Sequence, residues 1–589
     1  MAGVPERVIR NRIALAGLGF AAGLALWLLG EHRDMLMLAP GLYLALFTFT
    51  GIFAAVSLAL AGPLPLRRAL AGGLMVALPV AGLMTLTGRR YELPTQALDQ
   101  PDVLALAMLI AFLAAPFALA ALKDGRRWNN YPTLFAAAWG LTVRYIAGAI
   151  FVAVFWLLAF LSDALLSLVQ VGVIEWVLDR AWLVFALSGA VLGLALAVAY
   201  ELRATLPPDM PLRLLRLLAV PVLAVVAVFL AAVPLRGLGE VFGALSSAGT
   251  LMAVALVMVT LISVVLDRTP EAMPQSRPVS GSARVLAVLL PLVTGLAAWA
   301  VALRVGQYGW TPDRLLAACC SLFLLLYGVV YAVSALHGAD WGARVRGANT
   351  VMALCAIGLC AALLSPLLDA PRISAKSQLM RYAAGQASAG RLPLWEMSRD
   401  WGRAGTAALE QLKAQADDGD DALLAQFEAL SASGSRWEFE SSQEPRRRQE
   451  LQAELAAELP LRPEGAVLQP EQLDGLEEFQ LREILNACRV PFADGTPGCA
   501  MVMGRFLPEA GGQGLVLYRA PGGKYLQTGH LLLAGEAPAA LRGTAVLDPG
   551  GDRQLPLSAI RQVLGGGYGI DAASVRALTV AGKEILPWP

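Results

Sequence analysis

The chain has 589 residues, 57% of them hydrophobic and only 15% charged, with a formal net charge of +1. Soluble domains carry nearer 25% charged residues, so a purely soluble protein is excluded, and the balanced charge gives no electrostatic case for a nucleic-acid partner. Residues after about 370 hold 22 of the 46 basic and 27 of the 45 acidic residues, the pattern of a polytopic membrane domain followed by a soluble one.

The first apolar run, Ile13–Gly30, follows Arg7, Arg10 and Arg12 but ends in "GEHRD" without a small-residue cleavage site. It reads as a signal-anchor and first span rather than a removed leader. A helix needs about 20 mostly apolar residues to cross the hydrocarbon core. Eleven segments meet that need, at roughly 13–30, 35–61, 69–87, 103–122, 145–170, 181–200, 217–235, 246–266, 285–304, 315–336 and 349–368. The ambiguous stretch is 123–150, where "WNNYPTLFAAAWGLTVRY" fits either an interfacial helix or part of a span.

The positive-inside rule sets the orientation. With a cytoplasmic N-terminus and alternating loops, 17 Lys and Arg residues fall in cytoplasmic segments and 7 on the opposite side. An odd number of spans then puts the C-terminal region outside, which in a bacterial inner (cytoplasmic) membrane is the periplasm. The expected fold is a polytopic α-helical membrane bundle of about 11 transmembrane helices with a C-terminal soluble α+β domain. The membrane part is residues 1–370 and the periplasmic part 371–589, helical over 373–488 and β-rich over 498–589.

Within that soluble part, "LWEMSRDWGRAGTAALEQLKAQ" places Trp395, Trp401, Ala404, Ala408 and Leu412 near one helical face. "DALLAQFEALSA" follows, with Asp420 or Asp421 able to cap it, and "PRRRQELQAELAAELP" reads as a third helix. A fourth, "PEQLDGLEEFQLREILNAC", carries the stripe Leu473, Leu476, Phe479 and Leu485. After Cys499 short β-branched and aromatic runs alternate with Gly/Pro turns, an antiparallel meander of four to six strands.

"LRVGQYGWTPDR" (Leu303–Arg314), "DAPRISAKSQLMRYAAGQ" (Asp369–Gln386), "WGRAGTAALEQL" (Trp401–Leu412) and the earlier "YPTLFAAAW" and "VFWLLAFLSDALLSL" resemble the DUF4153 family of bacterial polytopic inner-membrane proteins. The resemblance covers most of the chain and is weakest over the final β-rich part. It implies fold and location rather than mechanism, because the family has no established activity. Members often carry a "DLDGDG"-like acidic stretch in the last region; here that place reads "MGRFLPEAGGQG", without the cation-binding acids.

Several candidate sites stand out. Arg304, Gln307, Tyr308, Trp310, Asp313 and Arg314 share one outer loop. The structural reading is an aromatic belt plus a Thr311-capped helix start; the functional one is a site that binds a lipid headgroup or docks the C-terminal domain. Asp163 is the one acid well inside an apolar run, costly at membrane depth, though near its span's outer end. Glu31 and Asp34 fill the first outer loop, where membrane glycosyltransferases using lipid-phosphate sugars carry a catalytic acid; a loop of about four residues reads more plainly as a tight turn. Cys319, Cys320, Cys355 and Cys360 lie in spans as small apolar residues. Cys488 and Cys499 lie on the oxidising side without CxxC spacing or nearby metal ligands, so they are expected to form a structural disulfide stabilising by roughly 3 kcal/mol.

The leading expectation is a non-enzymatic envelope component that binds, scaffolds or senses. Its partners would be membrane lipids and an envelope protein, with no cofactor or metal. The alternatives are an enzyme acting on a lipid-linked substrate at the outer leaflet, and a transporter. The transporter would require internal repeats or matching broken helices, and no convincing repeat is visible.

Overall fold

Hydrocarbon tolerates a helix because every backbone group is bonded within it, and the long apolar runs become eleven helices long and apolar enough to cross a membrane. They are α1 (Gly3–Glu31), α2 (Pro40–Leu60), α3 (Leu66–Gly88), α4 (Pro101–Lys123), α5 (Tyr131–Ser167), α6 (Ala181–Glu201), α7 (Ala219–Arg236), α8 (Ser247–Leu266), α9 (Arg277–Tyr308), α10 (Pro312–Leu336) and α11 (Trp341–Leu363). The computed structural model describes residues 3–33, 39–123, 125–169, 172–202, 209–236, 247–273, 276–338, 340–416, 420–492, 494–507, 511–520, 525–535, 537–544, 546, 554–571, 578–580 and 583–585. Each expected span corresponds to one helix. The ambiguous stretch joins a span: Asn130 Oδ1 accepts from the Thr133 N–H (3.3 Å) and starts a single 37-residue helix. At 1.5 Å per residue that helix is about 55 Å long, well beyond the hydrocarbon thickness of about 30 Å.

The chain forms two compact units, Met1–Gly419 and Asp420–Pro589. The rise in charge begins earlier, near 370, but α12 (Ala370–Ala383) and α13 (Gly402–Ala416) belong to the first unit by compactness. Among the described residues the first unit has two large apolar cores and a smaller one around Phe135, Leu212 and Val264. One gathers Leu15, Leu44, Leu60, Met84, Ile110, Leu141 and Leu196 from α1–α6. The other gathers Met258, Ile262, Leu286, Leu290 and Tyr331 from the later helices. Helix α11 joins both, with Cys360 in the first and Val345 in the second.

Small residues set the closest helix pair. A Cβ at Gly19 or Gly23 of α1 would strike the carbonyl of Gly189 or Phe185 on α6, and one at Gly193 would strike that of Leu15. Both helices therefore use a small-xxx-small face to bring their backbones together. Arg12 Nη2 meets Glu201 Oε2 at 2.5 Å at one end of this pair.

Arginines seal the ends of neighbouring helices, whose last carbonyls lack intrahelical donors. Arg68 reaches Leu122 O (3.5 Å), Arg144 reaches Ala59 O and Ala61 O (both 3.0 Å), Arg284 reaches Ala335 O (3.0 Å) and Arg346 reaches Leu266 O (3.1 Å). Where α5, α8, α10 and α11 meet, Asn349 accepts from the hydroxyls of Tyr327 (2.7 Å) and Tyr331 (2.5 Å) and donates to Tyr131 and Ser263 (both 3.2 Å). Each hydroxyl and the amide of this four-helix cluster finds a partner, as burial requires.

The second unit is α+β. Helices α14 (Asp421–Ala432), α15 (Arg436–Glu458) and α16 (Glu478–Arg489) accompany a six-stranded sheet ordered β1 (Leu461–Arg462), β2 (Cys499–Met503), β3 (Gln513–Arg519), β4 (Tyr525–Leu532), β5 (Ala540–Gly543), with β6 (Leu555–Pro556) beside β4. β1 joins β2 in parallel and the other pairs are antiparallel. A separate hairpin pairs β7 (Leu578–Val580) with β8 (Lys583–Ile585). Leu481, Ile484 and Leu485 of α16 cover Met501, Val516 and Leu531 of the sheet. Cys488 and Cys499 are bonded, S–S 2.02 Å, tying the last turn of α16 to the first residue of β2.

Three local expectations change. The helix drawn through Trp401 breaks into Leu394–Arg399 and α13, because Gly402 sits at φ +53°, a conformation that favours glycine. Pro445 lies inside α15, which begins upstream at Arg436. Phe479 is 66% exposed and leaves the apolar stripe, since it stands in the first turn of α16 one position off the buried face.

Candidate functional site

The loop singled out in sequence is the turn between α9 and α10. Gly309 (φ +74°) ends α9, and Thr311 Oγ1 caps α10 by accepting from the Arg314 N–H at 3.3 Å. The guanidinium groups of Arg304 and Arg314 lie over the Tyr308 ring, 5.8 and 5.3 Å from its centroid. Arg314 also donates to Tyr308 O (3.3 Å) and Gly309 O (3.0 Å). The rest of the turn is engaged by α12. Gln378 donates to Tyr308 O (3.1 Å) and Trp310 O (2.9 Å), Arg381 donates to Gly306 O (3.2 Å) and Gln307 O (2.8 Å), and Ser377 Oγ accepts from Trp310 N–H (3.2 Å). Asp313 stands in the first turn of α10, favourable to its dipole. The turn is thus a seat for α12. Gln307 borders an apolar cavity of about 420 Å³ with Trp299, Ala302, Leu303 and Gly306.

The other sequence candidates stand apart. Glu31 is exposed at the end of α1, and Asp34 lies outside the described residues. Asp163 is half-buried near the end of α5 and makes no ion pair among the described residues. Glu31, Asp163 and Arg314 border neither of the two cavities described here. Among the described residues no group of three or more His, Cys, Asp or Glu could hold a metal ion.

A different site emerges where α3 and α11 end. Helix α3 stops at Gly88, and Arg89 and Arg90 follow it. The Arg90 side chain is only 10% exposed. Its Nη2 donates to Leu363 O (2.8 Å) and Ser365 O (2.5 Å), the open end of α11, and its Nε lies 3.7 Å from Asp369 Oδ1. Thr87 Oγ1 adds a bond to Leu364 O at 2.6 Å. Asp369 in turn caps α12 by accepting from Arg372 N–H (3.3 Å). Arg90 O accepts from Arg403 N–H (2.9 Å), and Arg403 Nε donates to Tyr91 O (3.1 Å), which fixes the start of α13. A Cβ at Gly402 would strike Arg90 O, so glycine is needed there for space as well as for φ. Burial first, and the charge of Asp102 second, push the Tyr91 hydroxyl well above its ordinary pKa, so it stays neutral beneath this junction.

These contacts border an open-mouthed cavity of about 590 Å³ between the ends of α3 and α11 and the faces of α12 and α13. Its lining holds five cations, Arg89, Arg90, Arg372, Lys376 and Arg403, against the single carboxylate Asp369. Arg403 has a partner at the edge of salt-bridge range in exposed Glu92 (4.0 Å). Arg89, Arg372 and Lys376 are exposed and make no ion pair among the described residues. The cavity can therefore hold an anion. Sequence reading counted Arg89 and Arg90 only as loop charges and did not single out Arg372, Lys376 or Arg403. The available signal was local: two adjacent arginines at a helix end on the side with fewer charges, and Arg372 and Lys376 one helical turn apart.

A family model described as "Domain of unknown function (DUF4153)" matches residues 21–399. That is more than half of the chain, and it takes in the α3, α11 and α12 walls of the cavity but not α13. No curated protein and no solved structure matched the chain.

Proposed function

We propose that this chain, which belongs to the DUF4153 family, is a multi-pass bacterial inner-membrane protein that works by binding an anion at the periplasmic end of its helices, as a component of the cell envelope. The observation that carries this is the cavity lining: five cations face one carboxylate, and no thiol, hydroxyl or imidazole stands among them. Of the side chains that serve nucleophilic or acid–base catalysis the lining holds Lys376 and Asp369, and Asp369 is already engaged by Arg90 and by the start of α12.

The orientation rests on the charge count together with which helix ends meet. α3 and α11 end together at the cavity, the first third of α1 meets the end of α6 through Arg12 and Glu201, and Arg144 in the first half of α5 meets the end of α2. Each pair is one that an alternating path would bring to the same side. With the N-terminus in the cytoplasm, odd-numbered helices run outward, so the cavity, the α9–α10 turn and the C-terminal unit face the periplasm.

The test uses the full chain purified in neutral detergent. Its unfolding temperature is followed while inorganic phosphate, pyrophosphate or a short-chain phosphatidic acid is added. At least one of these should stabilise the wild type and fail to stabilise an Arg372→Gln/Lys376→Gln variant. Equal responses in both proteins to every anion would refute the reading.

A further inference from the structure

We propose that the ligand of this cavity is a phosphate group carried on an apolar stem, a lipid headgroup phosphate drawn from the surrounding leaflet, with Arg89, Arg372 and Lys376 as its direct contacts. This rests on the anion-binding reading above and gives it a chemical class.

The five cations divide by what holds them. Arg90 is locked to the end of α11, and Arg403 is held by Tyr91 O. Both build the walls. Arg89, Arg372 and Lys376 are exposed and without ion pairs among the described residues. Arg372 and Lys376 lie four apart on α12, where like charges share a face and repel. Such a pair costs stability unless an anion settles between them. A phosphate offers several acceptor oxygens, and arginine forks and lysine ammonium groups are the side chains suited to it.

Apart from Gln411 and Asp369, the remaining lining is apolar and points to a stem. Leu86, Pro366, Ala375, Leu379, Ala404 and Ala407 border the same cavity, and a free, fully hydrated phosphate gains nothing from them. A lipid phosphate with its first carbons does. The position agrees. Leu86 is in the last turn of α3, and α11 ends at Leu363, so the cavity lies at the ends of two membrane-length helices. In a bilayer that is the depth of the headgroups. Beside Pro366, Leu367 is 81% exposed, placed to enter the same apolar boundary.

The experiment is native mass spectrometry of the full chain released from neutral detergent. The probes are dioctanoyl phosphatidic acid, dioctanoylglycerol and inorganic phosphate. Phosphatidic acid should bind the wild type, and each lost cation in Arg89→Gln and Arg372→Gln/Lys376→Gln should weaken it at least about tenfold, as the loss of a charged hydrogen bond does. Lys413→Gln, outside the lining, and the charge-preserving Arg372→Lys/Lys376→Arg should retain binding, which separates lost recognition from misfolding. Dioctanoylglycerol should not bind, and millimolar inorganic phosphate should not displace the lipid. If inorganic phosphate binds as tightly and displaces it, the lipid assignment is overturned while anion binding stands. If phosphatidic acid and dioctanoylglycerol bind alike and no variant matters, both readings are overturned.

Discussion

Arg90→Met is expected to release α12 from the bundle. Methionine keeps most of the apolar stem and removes the guanidinium. Two charge-assisted bonds to Leu363 O and Ser365 O, at 2.8 and 2.5 Å, disappear, each worth about 1.5–3 kcal/mol. The Asp369 carboxylate, 3.7 Å from Arg90 Nε, loses its partner. At that distance the gross attraction is about 4–5 kcal/mol at an effective dielectric of 20, largely offset by the cost of desolvating the guanidinium. The net loss should be about 3–5 kcal/mol, the range found for breaking buried pairs. Hydrogen exchange of the backbone amides in 370–383 reads this directly. If opening of α12 limits exchange, those amides should exchange about two to four orders of magnitude faster. The 303–314 turn should lose protection with them, because Gln378 and Arg381 hold it. Adding Asp369→Asn, which keeps the cap and removes the charge, should recover part of the loss. A change under about tenfold in 370–383 while the bundle stays folded would show that the Arg90 contacts do not hold this helix.

Gly19→Leu should disrupt the α1–α6 pair and lower the unfolding temperature in detergent, since overpacking costs about 1–3 kcal/mol or more; Gly17→Ala, with open space at its Cβ, should be tolerated. Replacing Cys488 and Cys499 with serine should destabilise residues 420–589 in urea by about 3 kcal/mol for the loop they close, and the native thiols should resist maleimide in intact cells unless a reductant is added. The bond from Arg489 to Glu458, at 2.9 Å, and the charge of Arg489 hold the Glu458 carboxyl below the usual glutamate range. A depressed carboxylate stabilises above its unfolded pKa and loses that contribution as the pH falls through the folded one. Urea midpoints of residues 420–589 should therefore drop below about pH 4.3, and Arg489→Met should flatten that drop.

Apolar length made the eleven helices readable, and the change to short β-branched runs after Cys499 marked the sheet. Thr311, Pro312 and Asp313 announced the start of α10 because capping is local chemistry. The break at Gly402 was not readable, since the left-handed conformation is imposed by Arg90 O, more than three hundred positions away in the chain. The cavity was hidden for the same reason. Its cations come from 89–90, 372–376 and 403, and each group alone looks like an ordinary helix flank. The close pairing of α1 and α6 did leave a trace, "GFAAG" facing "GAVLG", which a search for small residues four apart would have found.

The arginine seals also imply an order of assembly. A chain made from its N-terminus completes α3 long before α11, so Arg90 must wait through eight further helices for the carbonyls of Leu363 and Ser365. Arg68 waits only for α4, and Arg284 only for α10, whereas Arg144 and Arg346 arrive to find α2 and α8 already in place. Until each partner comes, a guanidinium stays in water and a helix end stays open. Of these seals the junction of the third helix with the eleventh waits longest, and the cavity is complete only when α12 and α13, made later still, pack beside it.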